Sequence, residues 1–216
     1  MSRLFFTADL HFHHANILKL APQFRPFADL QEMESALVEA WNQTVSPDDI
    51  VYNLGDFSLS RSPEQVVSVL QKLHGQHHLI LGNHDHLLLK HQTLFLNTPK
   101  HDGHPLLSSI QHYLYLPLPE KPKRFAVLHH YPIQEWDGCF QGSYHLHGHI
   151  HNRIAPIKGR LLNVGWDLHG RLLSLEDIRQ FLEPLPVFPY PNTPTLTHSA
   201  TEQIAYLQSA LQTLNT

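Results

Sequence analysis

Carboxylates, an asparagine and histidines recur in five short segments, each of which follows an apolar run of the chain. The ligand types are oxygen and nitrogen donors without sulfur, a set that suits divalent ions such as Mn²⁺, Fe²⁺, Zn²⁺, Co²⁺ or Ni²⁺. The chemistry that these residues predict is therefore metal ligation. The five segments are Asp9-Leu10-His11, Gly55-Asp56, Gly82-Asn83-His84-Asp85, His129-His130-Tyr131-Pro132 and Gly148-His149-Ile150-His151.

The number of candidate ligands favours two ions over one. Seven ligands are too many for one tetrahedral ion, but they suit two ions about 3.5–4 Å apart that share a carboxylate and act on a phosphate ester. The two oxygens of a shared carboxylate could neutralise both charges. In an extended segment residues i and i+2 point to the same face, so Asp9 with His11, and His149 with His151, are each expected to supply two ligands.

An alternation of short apolar strands and amphipathic helices must position these segments. Strand ends of an α/β sheet meet in one crevice, where ligands normally bind. Helices are predicted to start at Asp29, at Ser62 and at Ser174, with Ser62 as a side-chain cap followed by Pro63. The stretch 87–109 is predicted to be rich in loops. Strands are predicted at 4–8, 50–53, 77–81, 113–116, 124–128, 143–146 and 160–164.

The chain of 216 residues suits one domain, which we place at residues 1–183. Residues 184–216 are predicted to form a Pro-rich linker and an amphipathic helix, which packs on the core or on a neighbouring subunit in a homo-oligomer. The apolar stripe of that helix consists of Ile204, Leu207, Leu211 and Leu214.

Composition narrows the class of protein. The chain has 20 histidines against 15 lysines and arginines, and a net charge of −4 with histidine neutral, which disfavours long nucleic acid as a partner. No apolar run is long enough to span a bilayer, and the first residues do not resemble a signal peptide. The single cysteine, Cys139, excludes an internal disulfide framework, so we expect a reducing cytoplasm.

The five segments follow, in order, the pattern D-x-H, G-D, G-N-H-[DE], H-x-P and G-H-x-H. In this the chain resembles the calcineurin-like metallophosphoesterases, and its stretches 24–27 and 41–42 resemble a compact bacterial and phage subgroup. The resemblance implies a four-layer α-β-β-α sandwich in which two mixed sheets are flanked by helices. It also implies a metal-dependent phosphoesterase, in which a metal-bound hydroxide attacks the phosphate ester in line.

The resemblance assigns roles by position. Asp56 would bridge two divalent ions, Mn²⁺ being favoured, and His84 would be the acid that protonates the leaving oxygen or stabilises charge. His129 is the alternative to His130, which stands two residues before the proline. The first ion would be held by Asp9, His11 and His151, and the second by Asn83, His130 and His149.

The sequence departs from the family at one place. Many members carry a second aspartate soon after G-D, beside the catalytic histidine, whereas residues 57–61 here contain none. Asp85 directly follows His84, and adjacent residues rarely face the same way, so we do not assign it this supporting role.

Substrate recognition is less determined by the sequence. His14, Arg25 and Asn83 are candidate contacts to a phosphate, although Arg25 could equally be an ordinary surface residue in a Pro-bounded turn. Tyr131 and Trp136 could stack on a nucleobase, but packing is favoured. The expected partner is a small phosphorylated compound, with nucleotides among the candidates.

Three other classes of protein are less consistent with the pattern. A metal-free scaffold of the same fold that binds proteins would be expected to have lost ligands or the catalytic histidine. A histidine-rich metal buffer would cluster its histidines in tracts. A barrel amidohydrolase, entered through His11-Phe12-His13, needs a longer chain than this one.

Overall fold

The structure is a computed structural model that describes residues 2–119, 123–189 and 200–214. The strands are β1 Leu4–Thr7, β2 Ile50–Asn53, β3 Gln76–Ile80, β4 Ser109–Gln111, β5 Tyr113–Pro117, β6 Phe125–His129, β7 Tyr144–His147, β8 Leu161–Asn163 and β9 Leu173–Ser174. The helices are α1 Ile17–Leu20, α2 Leu30–Thr44, α3 Pro63–Leu70, α4 His86–Lys90, α5 Gln92–Asn97, α6 Trp166–His169, α7 Leu175–Leu182 and α8 Ala200–Leu214, with a 3₁₀ turn at Cys139–Gln141.

The strands form two mixed sheets, as predicted. The first has the order β4-β3-β2-β1-β9, in which β1 to β4 are parallel and β9 is antiparallel to β1. The second has the order β5-β6-β7-β8, in which only the β5–β6 pair is antiparallel. The α/β fold class and the two-sheet arrangement are therefore confirmed.

Alternating side chains along the strands build the layers. In β1, Phe5 packs against the helices outside the first sheet, whereas Phe6 packs into the core between the sheets. In β6, Leu128 faces that same inter-sheet core, and Val127 faces outwards. Because successive strand residues point to opposite faces, four-residue strands are enough to hold two apolar layers. Helices α2 and α3 cover the outside of the first sheet through Met33, Leu37, Trp41, Val66 and Leu70.

The outside of the second sheet is covered differently from the first. Val127 packs there against Trp136 and Cys139, which belong to a loop and to the 3₁₀ turn, and against Phe188. The fourth layer is therefore built largely of irregular segments, and a long helix does not form it among the described residues.

Local sequence explains where the helices begin. Asp29 accepts a hydrogen bond from the Glu32 amide, and Ser174 forms a reciprocal capping box with Asp177, as their spacing predicts. The Ser62 side chain, in contrast, makes no cap bond to the helix backbone, because its hydroxyl bonds to the Glu64 carboxylate. The prediction of Ser62 as a side-chain cap is wrong, although α3 begins where it was expected.

The prediction of a loop-rich stretch at 87–109 is wrong for its first half and right for its second. Helices α4 and α5 occupy most of residues 87–97, whereas residues 98–108 contain no helix and no strand. Leu88 and Phe95 are fully buried in the outer core of the first sheet, and this packing stabilises two short helices despite the asparagine, proline and glycine residues that follow them.

Near its start, the predicted linker contacts the core through Phe188. The Phe188 ring packs edge-on against Trp136, with ring centroids 5.8 Å apart, whereas residues 184–187 are exposed. Residues 190–199 lie outside the described part of the chain. Helix α8 lies where the apolar stripe predicted it, but Ile204, Leu207 and Leu214 are more than half exposed. That stripe is therefore not buried on the core, and contact with a second subunit stays a prediction.

Within the described residues, no helix combines the length and the apolar character that a membrane crossing requires.

Candidate metal centre

The five ligand segments meet at the carboxyl-terminal edge of both sheets. Backbone hydrogen bonds join them directly: the Asp9 amide donates to the Gly55 carbonyl at 2.9 Å, and the His11 amide donates to the Asp56 carbonyl at 3.0 Å. Across the two sheets, the His149 amide donates to the Asp9 carboxylate at 3.0 Å. The sandwich thus brings together residues that are 140 positions apart in the sequence.

The backbone at these ligands differs from the extended form that the sequence suggested. Asp9, His11, Asp56, His149 and His151 all have a positive φ, between 54° and 69°. Among the described non-glycine residues, the one further case is His13. Each such conformation costs about 1–3 kcal/mol and persists only where the surroundings impose it. The alternate residues do lie in the candidate site in pairs, but they do so from left-handed turns.

The first group of ligands contains Asp9, His11 and His151, whose ligand atoms all lie within 4.8 Å of one another. Asp9 and His11 are almost completely buried, and His151 is half-buried. The Nε2 atom of His11 is buried without a hydrogen-bond partner among the described residues. A buried polar atom without a partner is unfavourable, so a cation at this position fits the site.

The second group contains Asp56, His130 and His149, again with ligand atoms within 4.8 Å of one another. Asn83 joins it, since its Oδ1 lies 3.1 Å from His130 Nε2, which also lies 3.4 Å from Asp56 Oδ2. His130 Nδ1 bonds to the Leu54 carbonyl at 2.7 Å, so Nδ1 carries a ring proton. When Nε2 is protonated as well, it donates to Asp56. When Nε2 is not protonated, three acceptors face one another, and a cation between them would satisfy all three.

A single oxygen of Asp56 connects the two groups. Its Oδ2 lies 3.4 Å from His130 Nε2 and 3.9 Å from His11 Nε2, whereas its Oδ1 accepts from the His84 amide at 2.9 Å. Asp56 therefore stands between the groups, as the resemblance implies. The other oxygen, Oδ1, is at least partly engaged by the His84 amide, so Oδ2 is the oxygen that faces both groups.

The outer nitrogens of three ligand imidazoles each have a hydrogen-bond partner. His130 bonds to Leu54 O as above, His151 Nδ1 lies 2.6 Å from Asp167 Oδ2, and His11 Nδ1 lies 3.1 Å from His14 Nδ1. Such outer contacts fix the tautomer and the orientation of a metal-ligating histidine. Where the partner is an oxygen acceptor, as at His130 and His151, the outer nitrogen donates and Nε2 of the neutral ring is left to ligate.

Arg25 and Asp167 form a buried pair beneath the first group. Arg25 Nε lies 2.7 Å from Asp167 Oδ1, and both side chains are 0% exposed. The Arg25 guanidinium also donates to the carbonyls of Asp9 and Leu10. The expectations that Arg25 lies at the surface and binds a substrate phosphate are wrong, because no part of its side chain is accessible. It holds the Asp9–His11 turn from below.

Sequence reasoning missed Asp167, although one feature could have revealed it. Asp167 follows β8 by four residues, within Val164-Gly165-Trp166-Asp167, so it stands after an apolar strand just as the recognised ligands do. It is the acidic residue of an otherwise apolar stretch. Its role as the partner of His151 completes the first group.

Asp85 supports the turn that carries Asp56. Its carboxylate accepts from the amides of Asp56 at 2.8 Å, Phe57 at 2.9 Å and Gly82 at 2.8 Å. Gly82 must approach closely, since a Cβ there would stand 2.3 Å from Asp56 Oδ1. These contacts turn the Asp85 carboxylate towards the backbone, and its role is to fasten two ligand turns together.

His84 belongs to neither ligand group. Its side chain is 44% exposed, and its Nε2 lies 4.0 Å from Asp56 Oδ2. It therefore stands at the open side of the centre. His129 lies elsewhere: its Nδ1 is 3.1 Å from the Tyr131 carbonyl, and its ring contacts the Tyr113 ring. The structure thus places His130, and not His129, beside Asp56.

The electrostatics of the site reflect burial without a counter-charge. Burial raises the pKa of Asp9 to about 7 and lowers that of His11 to about 2. Burial also acts to raise the pKa of Asp56, but hydrogen bonding and attraction to His130 outweigh it and hold this pKa at about 2. A divalent cation would supply the charge that the Asp9 carboxylate lacks.

Comparisons with known proteins extend over most of the chain without giving an activity. No family model matches. The chain is 41% identical over 86 residues to the uncharacterized protein MJ1445 of Methanocaldococcus jannaschii, a match that covers 39% of this chain and 48%, about half, of that relative. It is 27% identical to the Gene 66 protein of Mycobacterium phage D29, a match that covers 86% of this chain and 98% of that protein. It is also 27% identical to the Gene 66 protein of Mycobacterium phage L5, over 82% of this chain and 93% of that protein.

One solved structure is similar in fold. The protein of unknown function AQ665 from Aquifex aeolicus superposes with a TM-score of 0.61, covering 84% of this chain and 100% of that one, at 19% identity. At this identity the likeness concerns the fold alone.

Proposed function

We propose that this protein is a calcineurin-like metallophosphoesterase that hydrolyses a phosphate ester with two divalent ions, Mn²⁺ being favoured. The observation that carries the proposal is the position of Asp56 Oδ2, which lies within 3.9 Å of Nε2 of His11 in one ligand group and of His130 in the other. Asp9 and His151 would complete the first group, and Asn83 and His149 the second.

The protein's own residues would do three things. The ligand turns, fixed by Asp85 and Arg25, hold carboxylates and imidazoles in place before an ion arrives. When bound, two divalent ions lower the pKa of a water and neutralise charge on the phosphoryl oxygens. His84, half-exposed beside Asp56, is placed to donate a proton to the leaving oxygen or to stabilise the phosphoryl charge.

The substrate is proposed to be a small phosphorylated compound, either a monoester or a diester, that approaches from the side of His84. His14 and Asn83 remain candidate contacts to its phosphate. We also propose a reducing cytoplasm as the compartment, in keeping with Cys139 as a buried free thiol.

A screen of metals against substrates tests the proposal. The protein is reconstituted with Mn²⁺, Ni²⁺, Co²⁺, Zn²⁺ or Mg²⁺ and assayed on p-nitrophenyl phosphate, its bis-ester and cyclic nucleotides, with metal content measured by elemental analysis. Asp56→Asn should lose metal and activity together. His84→Ala should keep its metal and lose turnover by about 10²–10⁴-fold, whereas His101→Ala, at an exposed histidine outside the site, should change neither. Fewer than about one tightly held ion after reconstitution would refute the two-metal proposal and favour the metal-free scaffold.

A further inference from the structure

A half-open groove with a volume of about 320 Å³ adjoins the metal centre at Asn83. Because Asn83 belongs to the second ligand group, the groove and the metal centre share a wall. Four other cavities of 400–470 Å³ lie elsewhere on the described surface, and none of these four is lined by a ligand residue. The residues that carry the argument for this groove are Leu81, Asn83, His86, Leu89, His112 and Tyr131.

The groove presents apolar and aromatic surface to solvent. Leu89 is 38% exposed and Tyr131 is 41% exposed, so both side chains offer apolar surface to a ligand beside the metal centre. The Tyr131 ring also lies against the ring of the ligand His149, with centroids 4.4 Å apart. Tyr131 therefore lines the groove and also contacts a residue of the second ligand group.

The size and polarity of the groove indicate what it would hold. An apolar cavity of about 150 Å³ takes up a benzene molecule, so 320 Å³ has room for an aromatic ring and the atoms that link it to a phosphate. No lysine or arginine is among its described lining residues, so it lacks the usual groups that bind a second anion. His86 and His112 stand at its walls and could hydrogen-bond to ring heteroatoms.

We propose that this groove is the subsite for the organic group of the substrate, and that this group is an aromatic ring. The inference rests on the proposed function, since the phosphoryl group occupies the metal centre while the ring lies between Tyr131 and Leu89. It narrows the substrate class to phosphate esters of aromatic or heteroaromatic compounds.

The inference can be tested by measuring binding, without an activity assay, with two phosphonates of which one carries a phenyl ring and the other a methyl group. Phenylphosphonate and methylphosphonate are titrated by calorimetry into the 216-residue protein loaded with Mn²⁺. We expect phenylphosphonate to bind about tenfold more tightly, the effect of one aromatic contact. Leu89→Trp fills the groove and should bring the ratio of the two affinities close to one. Leu94→Trp is the matched control, since Leu94 is 39% exposed and does not line the groove, and it should keep the wild-type ratio.

The outcomes separate this inference from the proposed function. Equal affinities for the two phosphonates in the wild-type protein, or an unchanged ratio in Leu89→Trp, would overturn the aromatic subsite and leave the metal centre in place. If neither phosphonate binds to the metal-loaded protein, the proposed function fails and the subsite fails with it. Should Leu89→Trp not fold, His112→Trp fills the groove from another wall, and the wild-type ratio is decisive in either case.

Discussion

Replacing Asp167 by asparagine should remove the ion from the first ligand group and leave the second group occupied. Asp167 Oδ2 lies 2.6 Å from His151 Nδ1, and its Oδ1 lies 2.7 Å from Arg25 Nε. Burial acts to raise the pKa of Asp167, but the bonds to His151 and Arg25 outweigh burial and lower it, so the side chain is an anion. Asparagine has the same shape as aspartate, but its NH₂ group would face a donor, either Arg25 Nε or His151 Nδ1, and one hydrogen bond would be lost.

The magnitude follows from what each partner loses. Removing one member of a buried ion pair costs about 3–5 kcal/mol of unfolding free energy. Arg25 keeps the carbonyls of Asp9 and Leu10 as acceptors, which favours the lower figure, about 3 kcal/mol. Loss of the outer partner of a ligating histidine typically weakens metal affinity about 10–100-fold. We therefore expect one tightly bound ion in place of two.

Denaturant unfolding of the metal-free protein and elemental analysis after dialysis measure the two effects. The matched control is Glu183→Gln, which removes a carboxylate that pairs with Arg124 at 3.1 Å in a half-exposed position. Exposed pairs contribute at most about 1 kcal/mol, and this one lies outside the metal centre. Because Arg25 and Asp167 are coupled, adding Arg25→Met to Asp167→Asn should cost less than the sum of the two single changes. Two ions with wild-type affinity, together with a stability loss no greater than that of Glu183→Gln, would refute the reasoning.

Two further predictions concern the ligand turns and the pH dependence of metal binding. Asp85→Asn should lower the unfolding free energy by about 2–4 kcal/mol and weaken metal binding, because three backbone amides, including that of Asp56, lose a charged acceptor. Denaturation curves and metal titration curves that match those of the wild-type protein would contradict this prediction. Metal binding should weaken as the pH falls from 8 to 6, since burial raises the pKa of Asp9 to about 7 and the bond to Asp167 raises the pKa of His151. Both groups must lose their protons to ligate a metal. Calorimetric titration of the metal near pH 6.5, in two buffers of different ionisation enthalpy, should therefore detect proton release. If no protons are released, Asp9 and His151 are not ligands.

The positions of the ligands could be predicted from the sequence because they depend on a simple relation. An apolar run followed by Asp, Asn or His marks the end of a strand, and the ends of parallel strands share one edge of a sheet. This relation places Asp9, Asp56 and Asn83 after β1, β2 and β3, and the structure brings the three loops together. Capping patterns located α2 and α7 for an equally local reason.

The parts that the sequence did not reveal depend on tertiary packing. Arg25 and Asp167 are 142 residues apart, and neither belongs to a periodic pattern that would show its burial. The helices within 87–109 depend on Leu88 and Phe95 reaching the core, a gain that cannot be read from the loop-forming residues nearby. Which oxygen of Asp56 faces both ligand groups also depends on packing, because a backbone amide, which a sequence pattern does not display, binds the other oxygen.

The left-handed turns at the ligands explain why the buried supports are needed. Five ligand residues adopt a positive φ, and each is disfavoured by about 1–3 kcal/mol in isolation. That sum is comparable with the whole stability of an ordinary domain, about 5–15 kcal/mol, so the turns cannot be maintained by the ligands alone. Arg25 binds the carbonyls of the Asp9 turn, and Asp85 binds the amides of the Asp56 turn. These two charged side chains hold the strained backbone of the Asp9 and Asp56 turns without any metal, and we therefore expect the affinity for metal to depend on residues that do not ligate it.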